Sequence, residues 1–299
     1  MFTLDSMLWT MFPWLPVLLA GLYGTFVGSF LNVVIYRTPI MLTRRSGHSS
    51  QPFNLAWPPS SCPNCKNHIR ARHNIPVLGW ISLQGKCFDC RTPISARYPV
   101  IEALTGLILA LTAWLSQASP QTSVSHAMVL MGLFSALIAI AAIAYDTHSV
   151  PVKLSAPLIL LGIIFSVLST GPDDFRLLTN TLAPKDSLIG TALGISIPFA
   201  TIQVYRSLRK SRPGSRSANL MFAHGEWLLF GVAGAWLGWK SLAAVAFASA
   251  ILMVGSAAFK ATTRYKDDSI SDHGKWNMGT WISVSIIAVA LHNLVRHTL

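Results

Sequence analysis

HAMVLMGLFSALIAIAAIAYDTHSVP, residues 126–151, carries no Asp, Glu, Lys or Arg before Asp146. About twenty residues of helix rise some 30 Å, the thickness of a bilayer's hydrocarbon. A stretch this uniformly apolar has no polar stripe to turn to water, so 126–145 reads as a membrane span that ends on an acid. The pattern recurs on both sides. Seven more apolar segments fall at 9–35, 98–116, 154–170, 187–205, 219–237, 241–259 and 278–295. In hydrocarbon each backbone N–H and C=O must find its partner within the segment, and at these lengths a helix does that. The sequence therefore predicts an all-α polytopic membrane protein with about eight transmembrane helices.

Composition points the same way. Of 299 residues, 52% are hydrophobic and 11% charged, with a mean hydropathy of +0.49; a soluble domain carries about 25% charged residues. The opening MFTLDSMLWT has no Lys or Arg and no small-residue cleavage site, so it does not read as a cleaved signal. Gly21, Gly24 and Gly28 on the first segment allow a second helix to approach closely. Glu226 interrupts the sixth segment near its start.

A net charge of +12 would suggest a nucleic-acid partner in a soluble protein. In a membrane protein, the placement of the charge carries the information, and no nucleic acid is expected. The loops at 37–97, 146–153, 206–218 and 260–277 hold 9, 1, 5 and 4 Lys and Arg, which is 19 of the 23 in the chain. That bias puts these loops in the cytoplasm and the N-terminus on the opposite side. RSLRKSRPGSRSAN at 206–219 reads as a flexible basic linker, with anionic lipid headgroups as an alternative contact. Asp267, Asp268 and Asp272 form an acidic cluster in the last of these loops, read as a solvated face or as an attractor for a basic peptide.

All four cysteines lie in the 37–97 loop, as Cys62-Pro-Asn-Cys65 and Cys87-Phe-Asp-Cys90, with 21 residues between the two pairs. Each short pair bends the backbone so that two sulfurs and nearby amides face one point. Four thiolates at this spacing close a tetrahedron round Zn²⁺ and leave no open coordination position, so the metal reads as structural. A redox or iron role is the alternative. A loop of this length with little apolar periodicity needs such a staple. The expected organisation is a first transmembrane helix over 1–36, a cytoplasmic zinc knuckle over 37–97 and a membrane core over 98–299.

The knuckle sits inside a longer pattern. Gly28-Ser-Phe-Leu-Asn-Val-Val-Ile-Tyr-Arg37 precedes it, Asn74-Ile-Pro-Val-Leu-Gly-Trp80 divides it, and Pro93-Ile-Ser-Ala-Arg-Tyr-Pro-Val-Ile-Glu102 follows it. In this order and with these cysteines, the stretch from Gly28 to Gly106 resembles the N-terminal half of the type IV prepilin peptidases. Gly231–Trp239 (GVAGAWLGW) is similar to the family's stretch after its second catalytic motif. The resemblance implies an intramembrane aspartyl endopeptidase of the bacterial inner membrane, whose N-terminus the charge bias then places in the periplasm. Such an enzyme cuts the basic leader from prepilins or pseudopilins at the cytoplasmic face. It also implies, for many members, methylation of the new N-terminal amine with S-adenosylmethionine. No glycine-rich nucleotide fingerprint marks a site for that donor.

Two acids carry the implied chemistry. Asp146 matches the family's first catalytic position, although Pro151 follows about two residues early and Val152 stands where Asp or Asn is usual. The second motif should read Gly-x-Gly-Asp-x-Lys and here reads Ala223-His-Gly-Glu-Trp-Leu228, so Glu226 replaces the aspartate. SDHGKWNMGT (271–280) stands where the family's Pro-Phe-Gly-Pro-Tyr pattern is expected. Aspartyl proteolysis needs two carboxylates about 3 Å apart sharing one proton. Asp146 and Glu226 are the expected catalytic pair, and ion pairing with Lys153 or the basic loops is the structural alternative. Asp146, His148, His224 and Glu226 also compose a donor set for a water-activating metal. The competing functional readings are a catalytically silent relative that binds pilin precursors or serves assembly, and a transporter or metal-dependent hydrolase on the same scaffold.

Overall fold

The computed structural model describes residues 11–43, 53–118, 124–168, 183–209, 225–264 and 278–296. Nine α-helices are described: α1 Leu15–Thr43, α2 Leu78–Ser82, α3 Arg97–Ala118, α4 Val124–Thr147, α5 Val152–Leu168, α6 Pro184–Arg209, α7 Trp227–Leu237, α8 Trp239–Arg264 and α9 Met278–Arg296. Six of them are long and apolar enough to cross a membrane, and α5 and α7 are shorter apolar helices. Each of the eight predicted spans corresponds to one of these eight helices. Among the described residues, strand pairing is confined to two isolated bridges, Ser61–His68 and Lys86–Pro93. The chain divides into two compact units: Met1–Ala118 with Ala127–Ser135, and Ser119–His126 with Ala136–Leu299.

In the first unit α1 and α3 run antiparallel, packed at a seam of small residues. Gly24 lies so close to Gly106 that a Cβ on it would stand 2.8 Å from the Gly106 Cα. One on Gly28 would stand 2.7 Å from the Cα of Glu102. Gly24 and Gly28 of the first span therefore serve the approach that the sequence suggests, whereas a Cβ on Gly21 would meet only ordinary contacts, 3.4 Å from the Ala110 Cβ. Asn32 Nδ2 donates to Tyr98 O (3.2 Å), one step further along the same antiparallel register.

Helix α1 continues to Thr43, past the end of its apolar run, with Pro39 inside it. The reason is Arg37, which is only 8% exposed. Its guanidinium folds inward to donate to Asn54 O (2.8 Å), Leu55 O (3.3 Å) and Pro58 O (2.5 Å). A planar fork with several donors suits a fan of carbonyls of this kind. The helix thus fastens the start of the knuckle to its own last turns.

In the second unit α6 and α7 touch backbone to backbone: Gly190 lies on Gly234, and Gly194 on Phe230. Ser187 Oγ donates to Ala235 O (2.8 Å), and Trp236 Nε1 donates to Leu158 O (2.8 Å), which locks α5 to the same seam. Leu229, Val232, Ile282 and Ile286 are almost wholly buried where α7 and α9 pack. Helix α7 begins at Trp227, so Glu226 stands at its N-terminal cap, and the predicted start of this segment at 219 lies outside the described residues.

Candidate functional site

The four cysteines form two copies of one local structure. In the first, the Lys66 N–H donates to Cys62 O (2.9 Å) and the Cys62 N–H to Asn67 O (2.9 Å). In the second, the Arg91 N–H donates to Cys87 O (3.1 Å) and the Cys87 N–H to Thr92 O (2.8 Å). Lys66 and Arg91, one residue past each pair, both adopt left-handed backbone (φ 63° and 62°). That conformation is uncommon for a residue with a Cβ, and here it turns each loop back over its sulfurs.

The result brings Cys62, Cys65, Cys87 and Cys90 together, with their Sγ atoms all within 4.8 Å of one another and Cys62 Sγ 3.7 Å from Cys90 Sγ. Sulfurs at tetrahedral corners about 2.3 Å from a zinc ion are about 3.8 Å apart, so the set fits one metal ion at its centre. The thiols are free rather than joined in disulfides. Their surroundings favour thiolate at Cys90, where the Thr92 hydroxyl and amide and the Asn64 side chain push the thiol down to about 5. Asn64 Nδ2 also donates to Thr92 Oγ1 (2.8 Å), which ties one knuckle to the other. Sequence reasoning missed Asn64 and Thr92; their signal is a polar side chain within two residues of a cysteine in each pair.

The predicted acid pair belongs to the second unit. Asp146 lies on the last turn of α4, exposed. The chain then leaves the helix through His148, whose N–H donates to Ala144 O (2.9 Å) and whose φ is 52°. The His148 Nδ1 atom is buried without a partner. Glu226 is different: it is 6% exposed, and its Oε2 has no hydrogen-bond partner. The backbone of Gly279 lies beside its carboxylate: a Cβ on that glycine would stand 3.9 Å from the Glu226 Cγ. Gly279 lies in the first turn of α9, where the helix has spare N–H donors and the end of the dipole that favours an anion.

Gly225 sets the entry to this position. Its φ of 85° is natural for glycine, and a Cβ there would press on Val150 O (3.2 Å) and Val152 Cγ2 (3.3 Å). The turn after Asp146 thus packs directly on the residue before Glu226. Gly279 closes the same wall. A Cβ on it would lie 2.5 Å from Val150 Cγ2, 3.0 Å from the Ala144 Cβ and 3.9 Å from the Glu226 Cγ.

The structure therefore brings Glu226 to the turn of α4 that carries Asp146, but it is Ala144 that faces the wall. Two residues further on, about 200° round the helix, Asp146 points to the exposed side. His224 lies outside the described residues, as do Asp267, Asp268 and Asp272. Gly279, which sequence reasoning missed, is the second glycine of the SDHGKWNMGT stretch. A buried carboxylate with one oxygen open is a place for a water or a proton, since a buried polar atom seldom goes without a partner.

Comparison with known proteins gives the following. Residues 22–116 match the model of the Bacterial Peptidase A24 N-terminal domain, and residues 131–258 match that of the Type IV leader peptidase family. Prepilin leader peptidase/N-methyltransferase of Dickeya chrysanthemi is 35% identical over 242 residues, covering 77% of this chain and 76% of that protein. The proteins of the same name from Neisseria gonorrhoeae and Aeromonas hydrophila are 34% identical over 251 residues (78% and 78%) and 33% identical over 253 (80% and 79%). No solved structure matches.

Proposed function

This chain belongs to the type IV leader peptidase family, and from that premise we propose that it removes the basic leader peptide from prepilins or pseudopilins by aspartyl-type hydrolysis. The site lies at the cytoplasmic face of a bacterial inner membrane, with the chain's N-terminus in the periplasm. Asp146 and Glu226 form the catalytic pair. One carboxylate takes a proton from the attacking water, and the other gives its proton to the scissile carbonyl oxygen. The amine then leaves with a proton returned from the pair. The observation that carries this reading is Glu226. A carboxylate 6% exposed, with an oxygen left without a partner, stands at the motif position where the family has its aspartate. An acid kept in such a place at the cost of desolvation is a functional group by default.

Zn²⁺ on Cys62, Cys65, Cys87 and Cys90 holds the knuckle and takes no part in the hydrolysis. The relatives' names also include N-methyltransferase, so the released amine is the expected acceptor of a methyl group from S-adenosylmethionine. One observation favours a second reading, a catalytically silent pilin-binding relative: Asp146 is turned to the exposed side of its helix. Co-expression with prepilins from the same genome, scored by leader loss, separates the two. Cleavage by the parent chain, abolished in Asp146→Asn and in Glu226→Gln, supports the peptidase. Cleavage undiminished by Glu226→Gln removes the assigned pair, and no cleavage of any prepilin leaves the silent relative.

A further inference from the structure

Glu102 fixes the depth of a part of the knuckle that neither the metal nor the acids use. It is 8% exposed, and its Oε2 accepts from the Val77 N–H at 2.7 Å. Glu102 is five residues past the start of α3, which places it about 7.5 Å along the helix axis. The 22 residues of α3 rise about 33 Å, close to the full thickness of the hydrocarbon. The bond therefore draws Val77, and α2 which begins at the next residue, in beside the second turn of the apolar helix α3, level with Gly28 of α1.

Helix α2 is held there on its inner side. Gly79 lies against the His73 backbone, and Trp80 Nε1 donates to Ile94 O (3.0 Å). Val77 is bent into left-handed backbone (φ 61°) to make the turn. The segment's large exposed side chains are apolar, Ile75 at 44%, Leu78 at 63% and Ile81 at 57%, with the small polar Asn74 and Ser82 exposed at its ends. The neighbouring surface is basic. Arg70 and Arg72 stack on the Phe88 ring (4.4 and 5.8 Å to its centroid), and the 3-10 turn that carries Arg72, Ala71–His73, packs on α2. Asp89, 3.8 Å from Arg70, is the acid of this patch.

Apolar side chains at this depth, flanked by arginines, match the two chemistries of a phospholipid, the acyl chain and the phosphate. We propose that Asn74–Leu83 is a membrane-interface wedge: Ile75, Leu78 and Ile81 enter the acyl region of the leaflet where α3 begins, and Arg70 and Arg72 engage anionic headgroups. Lipid is favoured over a protein partner because the Glu102 bond sets the segment beside the first turns of α3, whose Val100 and Leu104 are themselves 59% and 44% exposed, and because the arginines complement anionic headgroups. The wedge clamps the knuckle to the bilayer, so the metal centre stays close to the membrane surface.

The test places the photoreactive residue p-benzoylphenylalanine at Leu78, at Ile81 and, as a lipid-facing reference, at Phe26 of α1, which is 60% exposed. The full-length protein is irradiated in nanodiscs of phosphatidylcholine alone or with phosphatidylglycerol, and metal content confirms a folded knuckle. Phospholipid adducts at 78 and 81 are expected at a yield within about twofold of that at position 26. Phosphatidylglycerol should raise that yield, and Arg70→Glu with Arg72→Glu should cancel the rise several-fold while leaving the phosphatidylcholine result unchanged. Lipid adducts at 26 but not at 78 or 81 overturn the proposal, as do cross-links to a second protein chain. A yield indifferent to phosphatidylglycerol overturns the headgroup contact.

Discussion

Gly279→Ala tests the wall around Glu226 with a single carbon atom. The new Cβ would stand 2.5 Å from Val150 Cγ2 and 3.0 Å from the Ala144 Cβ, where ordinary contact begins at 3.4 Å. Val150 and Ala144 are each 2% exposed, so neither has open space to retreat into. The overlap with Val150 is about 1 Å, and overpacking of this kind typically costs 1–3 kcal/mol, spread over the first turn of α9, the 148–151 turn and the end of α4. These elements carry the glycine that lies beside Glu226 and the turn that follows Asp146. A shift of about 1 Å between catalytic groups costs on the order of a hundredfold in rate. Leader removal by Gly279→Ala, followed over time in membranes containing a co-expressed prepilin, should therefore slow by roughly ten- to a hundredfold. Val150→Ala deletes the methyl group in the way, so the double variant should recover most of the loss. Parental cleavage by Gly279→Ala would refute the reasoning, and so would a double variant no faster than the single one at equal expression and helicity.

Three further outcomes are expected. The purified protein should carry one zinc per chain by elemental analysis, and chelation should open residues 53–97 to proteolysis while the helical circular dichroism persists; a well-folded preparation far below one zinc would contradict the assignment. Glu226→Asp shortens the acid by one methylene, about 1.5 Å of reach; because the wall is closed around Glu, cleavage should fall by one or two orders of magnitude, and a gain would mean that the backbone keeps the geometry of an aspartate site. In intact cells stripped of zinc, a membrane-impermeant thiol reagent should leave all four cysteines unmodified if the knuckle has the cytoplasmic placement proposed from the Lys and Arg bias.

The spans were legible because hydrocarbon imposes one requirement on the whole segment, and length with apolarity answers it. The helices end where that requirement meets something local, and there the sequence was less informative. Arg37 looked like the first residue of a loop, yet it extends α1 by folding back onto Asn54, Leu55 and Pro58. Glu226 looked like a flaw inside a span and is the cap from which α7 starts. The cysteine tetrad was legible because metal geometry dictates its spacing. The relation of Asp146 to Glu226 was not, since position in a motif fixes the turn and not the face of the helix. Ala144 on the wall and Asp146 outside it differ by two residues, and only packing decides between them. Gly279 was invisible for a similar reason: a glycine's lack of a side chain matters only when its neighbours are known.

The glycine contacts between α6 and α7 bear on how the protein responds to temperature. A soluble core is held mainly by the release of water from apolar surface, and that driving force fades on cooling. Lipid tails are as apolar as leucine, so bringing Gly190 onto Gly234 releases no water; it gains dispersion and carbonyl contact instead. Separating α6 from α7 within the bilayer should therefore show little heat-capacity change. The seam beside Glu226 should hold as firmly in the cold as at growth temperature.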